Sequence, residues 1–191
     1  PAGSWYTNLR FDDPGGTPDT WQLGAALDVD GYLTIAGGTL DASAGPHNVE
    51  IEGDWTNGGT YTAGGNTTDF NGAAAQALIS GAASFSAVSV SGGTALSANA
   101  GVAFAAGGAV NIDGTSSFSI SAAGADVGGN LTVSGAVSQG AGDELTVGGD
   151  LDLSGGGTFT SDGVQLLRFS ETTAAAVSPN NQNLGAVQVS T

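Results

Sequence analysis

The sequence predicts an all-β chain wound as a single-stranded parallel β-helix, or β-solenoid, of about nine coils of about 20 residues. Three observations carry this. The stretch Leu27-Asp28-Val29-Asp30-Gly31-Tyr32-Leu33 reads apolar, x, apolar, x, Gly, x, apolar. It returns at Val49-Glu50-Ile51-Glu52-Gly53-Asp54-Trp55 and at Leu145-Thr146-Val147-Gly148-Gly149-Asp150-Leu151. Val110-Asn111-Ile112-Asp113-Gly114 repeats it with Ser116 in place of the last apolar residue, and Ala125-Asp126-Val127-Gly128-Gly129-Asn130-Leu131 opens on alanine. Second, the first apolar residues of successive strand pairs fall at 27, 49, about 68, 88, 110, 125, 145, about 166 and 187, in steps of 22, 19, 20, 22, 15, 20, 21 and 21. Third, apolar residues follow period 2, and glycine or proline interrupts every window long enough for a helix.

In chain order, residues 1–23 read as a first coil. Tyr6 to Phe11 is its strand and Asp12-Asp13-Pro14-Gly15-Gly16-Thr17-Pro18 its loop. Residues 24–191 read as regular coils, the last incomplete. Paired glycines such as Gly37-Gly38, Gly58-Gly59 and Gly92-Gly93 mark corners. Gly72 to Ala77 is alanine-rich and reads as strand or loop. A longer repeat aligns Phe70–Gly92 with Phe169–Thr191 at an offset of 99, and Tyr6, Leu9 and Phe11 repeat the same motif at an offset of 79 from its first copy. That suggests a module of four or five coils. No linker or break in composition appears, so residues 1–191 form one domain. Pro1 in place of a starting methionine suggests a processed chain or a piece of a longer one.

Alternation sends Leu27, Val29, Leu33, Ile35, Val49, Ile51, Trp55, Val110, Ile112, Phe118, Val127, Leu131, Val133, Leu145, Val147, Leu151 and Leu153 inward. The recurrent glycine sits at a bend where a Cβ would crowd the next turn. Outward, Asp28, Glu50, Asn111, Asp126 and Thr146 share one column, and Asp30, Glu52 and Asp113 another. If the turns of residues 27 and 49 are neighbours, Asp28 lies over Glu50 and Asp30 over Glu52. Like charges about 4.8 Å apart repel by roughly 3 kcal/mol at an effective dielectric of 20 and by under about 1 kcal/mol in water. Two readings fit: a solvated face with splayed side chains, or a divalent cation, calcium above all, held by Asp28, Asp30, Glu50 and Glu52.

Composition narrows the function. Of 191 residues 34 are glycine, none is cysteine, methionine or lysine, and 18 acids face only Arg10 and Arg168, for a net charge of −16. Phosphate contacts need a basic surface, so nucleic acid and anionic membrane surfaces are excluded as partners. No apolar run is long enough for a transmembrane helix. Without cysteine there are no disulfides and no thiolate metal sites. The two arginines lie about eight turns apart, so they cannot share a catalytic site with each other. Asp12-Asp13 reads as a turn stabiliser and His47 as a loop histidine, so no enzyme is expected. Trp5, Trp21, Trp55, Tyr6, Tyr32 and Tyr61 could stack on sugar rings, but only Tyr32 and Tyr6 read as surface aromatics. Thr60-Tyr61-Thr62 and Thr158-Phe159-Thr160 resemble the Thr-x-Thr pairs of ice-binding solenoids without forming a continuous array. Asn66-Thr67-Thr68 and Asn130-Leu131-Thr132 match the glycosylation sequon.

Leu33-Thr34-Ile35-Ala36-Gly37-Gly38-Thr39-Leu40-Asp41, Gly53-Asp54-Trp55-Thr56-Asn57-Gly58-Gly59-Thr60-Tyr61-Thr62 and Phe70-Asn71-Gly72 with Gln76 resemble repeats of very large secreted bacterial surface proteins, the filamentous-haemagglutinin-like and autotransporter-like adhesins. The resemblance implies a right-handed β-helix, an extracellular or cell-surface setting and a structural or adhesive role. It supplies no catalytic motif. The expected function is a module of a fibre or stalk that joins copies of itself, or flanking repeats, head to tail. Tyr6, Leu9 and Phe11 would meet Val187 and Val189 at the joint. The alternative is an adhesin that binds glycan on a calcium-stabilised acidic face. A carbohydrate-active enzyme and an ice-binding solenoid rank below both.

Overall fold

The computed structural model describes residues 4–79, 81, 83–98, 103–120, 124–140, 143–161, 166–170 and 175–189. Three strands make up each of the first three turns. Turn 1 is β1 (Ser4–Tyr6), β2 (Leu9–Phe11) and β3 (Thr20–Gln22). Turn 2 is β4 (Leu27–Val29), β5 (Leu33–Ile35) and β6 (Thr39–Asp41). Turn 3 is β7 (Val49–Ile51), β8 (Trp55–Asn57) and β9 (Thr60–Thr62). Turn 4 has β10 (Thr67–Phe70) and β11 (Ala75–Ile79), and crosses its third side through single bridges at Ser84 and Phe85. Turn 5 is β12 (Ala87–Val90), β13 (Ala95–Ala98) and β14 (Phe104–Ala106). Turn 6 is β15 (Val110–Ile112), β16 (Ser117–Ile120) and β17 (Ala125–Val127). Turn 7 is β18 (Leu131–Val133), β19 (Ala136–Gln139) and β20 (Glu144–Val147). Turn 8 is β21 (Leu151–Asp152), β22 (Thr158–Ser161) and β23 (Leu166–Phe169). A partial ninth turn adds β24 (Val177–Ser178) and β25 (Ala186–Val189).

Every strand pairing is parallel, and every partner lies one turn away in sequence, which is the defining topology of a β-solenoid. There are about eight turns of roughly 21 residues, at about 4.8 Å per turn. The turns have three sides. The first strand of each turn builds a nine-stranded sheet, the first face, and the second an eight-stranded sheet, the second face. The third face is a three-stranded sheet (β3-β6-β9) and a five-stranded sheet (β14-β17-β20-β23-β25), joined in line by the two bridges of turn 4. Short strands suit this plan, because each side needs only one or two inward side chains before the chain must bend.

All the residues assigned inward by alternation are buried. The glycine is crowded where the template is tightest, but by the previous turn and not the next: a Cβ on Gly53 would overlap the Gly31 carbonyl group, and one on Gly31 the backbone of Thr7. Gly114 differs, since a Cβ there would meet nothing closer than 4.0 Å. Through the middle turns the core is aromatic. Trp55 packs edge-on against Tyr61 and Phe85 with ring centres 5.0 and 5.3 Å apart, and Phe104 joins Phe85 at 5.9 Å to Phe118 at 5.1 Å.

The structure corrects three points of the sequence reading. The step of 15 between residues 110 and 125 is not a short coil. Val110 pairs with Leu131, whereas Ala125 lies on the third face between Phe104 and Leu145. The series 27, 49, 68, 88, 110 therefore follows the first face, and 125, 145, 166, 187 follows the third. The offset of 99 likewise joins Val88 on the first face to Val187 on the third, so it is no whole number of turns. Tyr6 to Phe11 is two strands around a corner at Thr7-Asn8. Ala75–Ile79 is a strand, with Gly72 at the corner before it. Ser190 and Thr191, the end of the 99-residue repeat, lie outside the described residues.

Candidate functional site

Two features stand out from an otherwise uniform rod: its ends and one acidic column. At the first end, β1, β2 and β3 are the outer strands of their sheets, each paired on one side only. Tyr6, Leu9, Phe11 and Trp21 belong to the inward columns, since they pair with Val29, Leu33, Ile35 and Leu40. No described coil covers them. Tyr6 is 39% exposed, and Phe11 and Trp21 lean together with ring centres 5.3 Å apart. With Leu9, Leu23 and Leu27 they line a concavity of about 240 Å³. Tyr6 is thus an end-of-core residue and not the surface aromatic that alternation suggested.

At the other end, Val177 continues the column of Leu151, and Val187 and Val189 continue those of Leu167 and Phe169. They are 41%, 48% and 67% exposed. The second face stops one turn earlier, at β22. Residues 179–185 cross there without a strand, turning through left-handed Asn180 and Asn181, and Leu184 packs against the core. The expected assembly residues Tyr6, Leu9 and Phe11 therefore stand at one end of the rod and Val187 and Val189 at the other.

The acidic column lies on the first face. Asp28 pairs in register with Glu50, and Glu50 with Asp69, so three carboxylates stand on three successive turns. Ser89 and Asn111 continue the column. Asp126 and Thr146 do not belong to it. They lie on the third face with Arg168, because the template was assigned to the wrong side there. Asp30 and Glu52 occupy the next position along, at the corner, as their amides bond to Tyr6 and Val29 of the turn before. Asn71 and Ser91 separate Glu52 from Asp113 in that position. Glu50 is raised above its ordinary value near 4.5, first by burial and then by the charges of Asp28 and Asp69. The carboxylates form a line, and among the described residues no three acidic or histidine side chains gather as a ready-made metal cage.

Asp69 escapes the sequence reading because its strand, Thr67–Phe70, departs from the apolar-x-apolar template. The work of several acids at strand ends escapes it too. Asp41, Asp113 and Asp152 each accept the amide of the residue two places on, at 2.8, 2.9 and 2.8 Å, as the loop residue Asp13 does at 3.0 Å. The signal was present as Asp-x-Ser, Asp-x-Thr or Asp-x-Gly. Asp13 also accepts from Asp19, so it does stabilise its turn, while Asp12 pairs with Arg10 at 3.1 Å in the open.

The remaining candidates disperse. Arg168 pairs with Glu144 at 2.8 Å on the third face of turn 8. His47 lies in the loop before Val49, where its carbonyl accepts from Asn66. Asn66 itself is buried and also donates to the Tyr61 hydroxyl at 2.9 Å, so its sequon is a core hydrogen-bond network. Thr60-Tyr61-Thr62 is on the third face and Thr158-Phe159-Thr160 on the second, so they share no surface. Trp5 and Tyr32 are the aromatics most open to solvent, with Trp5 directly over Asp28.

The fold and these features define a β-solenoid repeat protein whose two end turns no described coil covers. Comparison of the chain with protein-family models, with curated proteins and with solved structures finds no match.

Proposed function

We propose that this chain is a structural module of an extracellular or cell-surface fibre or stalk. A further coil, from flanking repeats or from another copy, stacks on each described end. The observation that carries this is the exposure of core-column residues at both ends. Val189 is 67% exposed, while Val147 in the same column is fully buried. Open strands of one polarity favour a partner that offers parallel strands at the same three-sided spacing, which another solenoid end does. The joint is head to tail: Tyr6, Leu9, Phe11 and Trp21 of one unit against Val177, Val187 and Val189 of the next. Sedimentation over a range of concentrations tests it. Wild type is expected to form a ladder of linear oligomers, and Phe11→Asp or Val189→Asp to remain monomeric with near-native circular dichroism. A wild type that stays monomeric at high concentration overturns the copy-to-copy joint.

A second reading, an adhesin with a calcium-stabilised acidic face that binds glycan, draws support from the in-register Asp28, Glu50 and Asp69 beside the open rings of Trp5 and Tyr32. Calcium would relieve the crowding at Glu50, with Asp30 and Glu52 close by. Millimolar calcium is then expected to raise the melting temperature, and Glu50→Gln with Asp69→Asn to remove the rise. An unchanged melting temperature counts against it.

A further inference from the structure

We propose that a desolvated monovalent cation, Na+ or K+, binds inside turn 7 at the corner between the second and third faces, held by the carboxylate of Asp143 and the side-chain oxygen of Gln139. Both residues point into the core, 3% and 5% exposed. Among the described residues, neither carboxylate oxygen of Asp143 has a hydrogen-bond donor, and neither does Gln139 Oε1. The orientation of the glutamine is fixed. Its Nε2 donates to the Asp143 carbonyl at 2.7 Å and to the Leu166 carbonyl at 3.2 Å. Turning the amide over would set Oε1 against those two carbonyl oxygens, so Oε1 must face away from them. Three acceptor atoms without donors thus share one buried corner.

Two comparisons within the molecule make this arrangement unusual. Gln139 follows a run of apolar residues in its column, Leu78, Ala98 and Ile120, and Ser161 stands beyond it on the next turn. The other buried glutamine, Gln76, has its oxygen fully used, accepting from the Gly72 amide at 3.3 Å and the Thr94 hydroxyl at 3.0 Å. A buried carboxylate with no donor is strongly disfavoured unless something positive compensates it. No lysine exists in the chain. A cation converts the three orphaned oxygens into ligands. One carboxylate neutralises one monovalent charge, whereas Ca2+ or Mg2+ would leave excess positive charge in the core. A net charge of −16 also concentrates cations around the rod.

The test compares melting of the whole chain in NaCl, KCl and tetramethylammonium chloride at equal ionic strength. General screening is the same in all three, but tetramethylammonium is too large for a core corner. Wild type is expected to melt about 2–5 °C higher in Na+ or K+. Asp143→Asn is expected to lose that difference, and Gln139→Leu to move its midpoint to about tenfold higher salt. Glu50→Gln is expected to keep it, which separates this site from the acidic column. Equal melting in the three salts overturns the proposal, as does an Asp143→Asn or Gln139→Leu protein that retains the full difference. A rise produced by Ca2+ alone and lost in Asp143→Asn overturns the monovalent assignment.

Discussion

Leu33 and Leu9 stand in one inward column, one turn apart, yet Leu33 is fully buried and Leu9 only half-buried. The same contrast separates Val147 from Val189 at the other end. Sequence pattern makes these residues equivalent, so the difference lies in what sits above and below. A coil of this chain has no core of its own. It borrows one from its neighbours, and its stability is a sum of intrinsic and neighbour terms.

The sharpest way to break that comparison is to remove a core-column side chain in the middle and one at the end. Trp55→Ala takes out a fully buried indole that touches Tyr61 and Phe85, and is expected to cost about 3–5 kcal/mol in urea denaturation. Val189→Ala, on the uncovered face of the last coil, is expected to cost under about 0.5 kcal/mol. Similar losses at the two sites would mean that the ends are covered in solution by something other than a concentration-dependent partner.

A smaller effect tests the corners. Gly53 and Gly114 occupy the same place in the repeated template, but only Gly53 lies against the backbone of the previous corner. Gly53→Ala is expected to destabilise by about 1–3 kcal/mol through forced backbone shifts, and Gly114→Ala by under about 1 kcal/mol. Equal costs would mean that the glycine is needed for the bend itself and not for the stacking.

These corners also explain how far the sequence could be read. The period and the inward set were legible because both follow from alternation and from stacking like on like. Face assignment was not. Leu27-to-Leu33 turns the corner from first to second face, while Leu145-to-Leu151 turns the corner from third to first, with one template for both. Nothing in apolar-x-apolar-x-Gly says which corner is meant. The step of 15 was the visible trace of the switch, because it is too short for a turn. Asp126 was misplaced for that reason, while Asp69 was overlooked because its strand, Thr67–Phe70, lacks the apolar-x-apolar template. The core-facing Asp143 was beyond reach, since an acid in Asp143-Glu144 reads as surface until the register sets it inward.

The smallest expected effect separates two kinds of outward acid. Glu50 is crowded by Asp28 and Asp69. Asp113 is opposed by slight burial, but hydrogen bonds from Ser116, Thr115 and Gly92 outweigh that and hold it below its ordinary value. The two respond to pH with opposite sign. A carboxyl raised on folding contributes stability below its unfolded pKa and loses it as pH rises through the folded value. One that is lowered contributes stability above its unfolded pKa and loses it as pH falls through the folded value. Glu50→Gln should therefore gain on wild type as pH climbs from about 4 towards neutrality, by under about 1 kcal/mol because the side chain is largely solvated. Asp113→Asn should lose ground to wild type over the upward pH range in which the unfolded aspartate would ionise. Melting curves at matched ionic strength from pH 3 to 7 give both slopes. If Glu50→Gln tracks wild type throughout, the carboxylates splay far enough apart that register alone does not couple them.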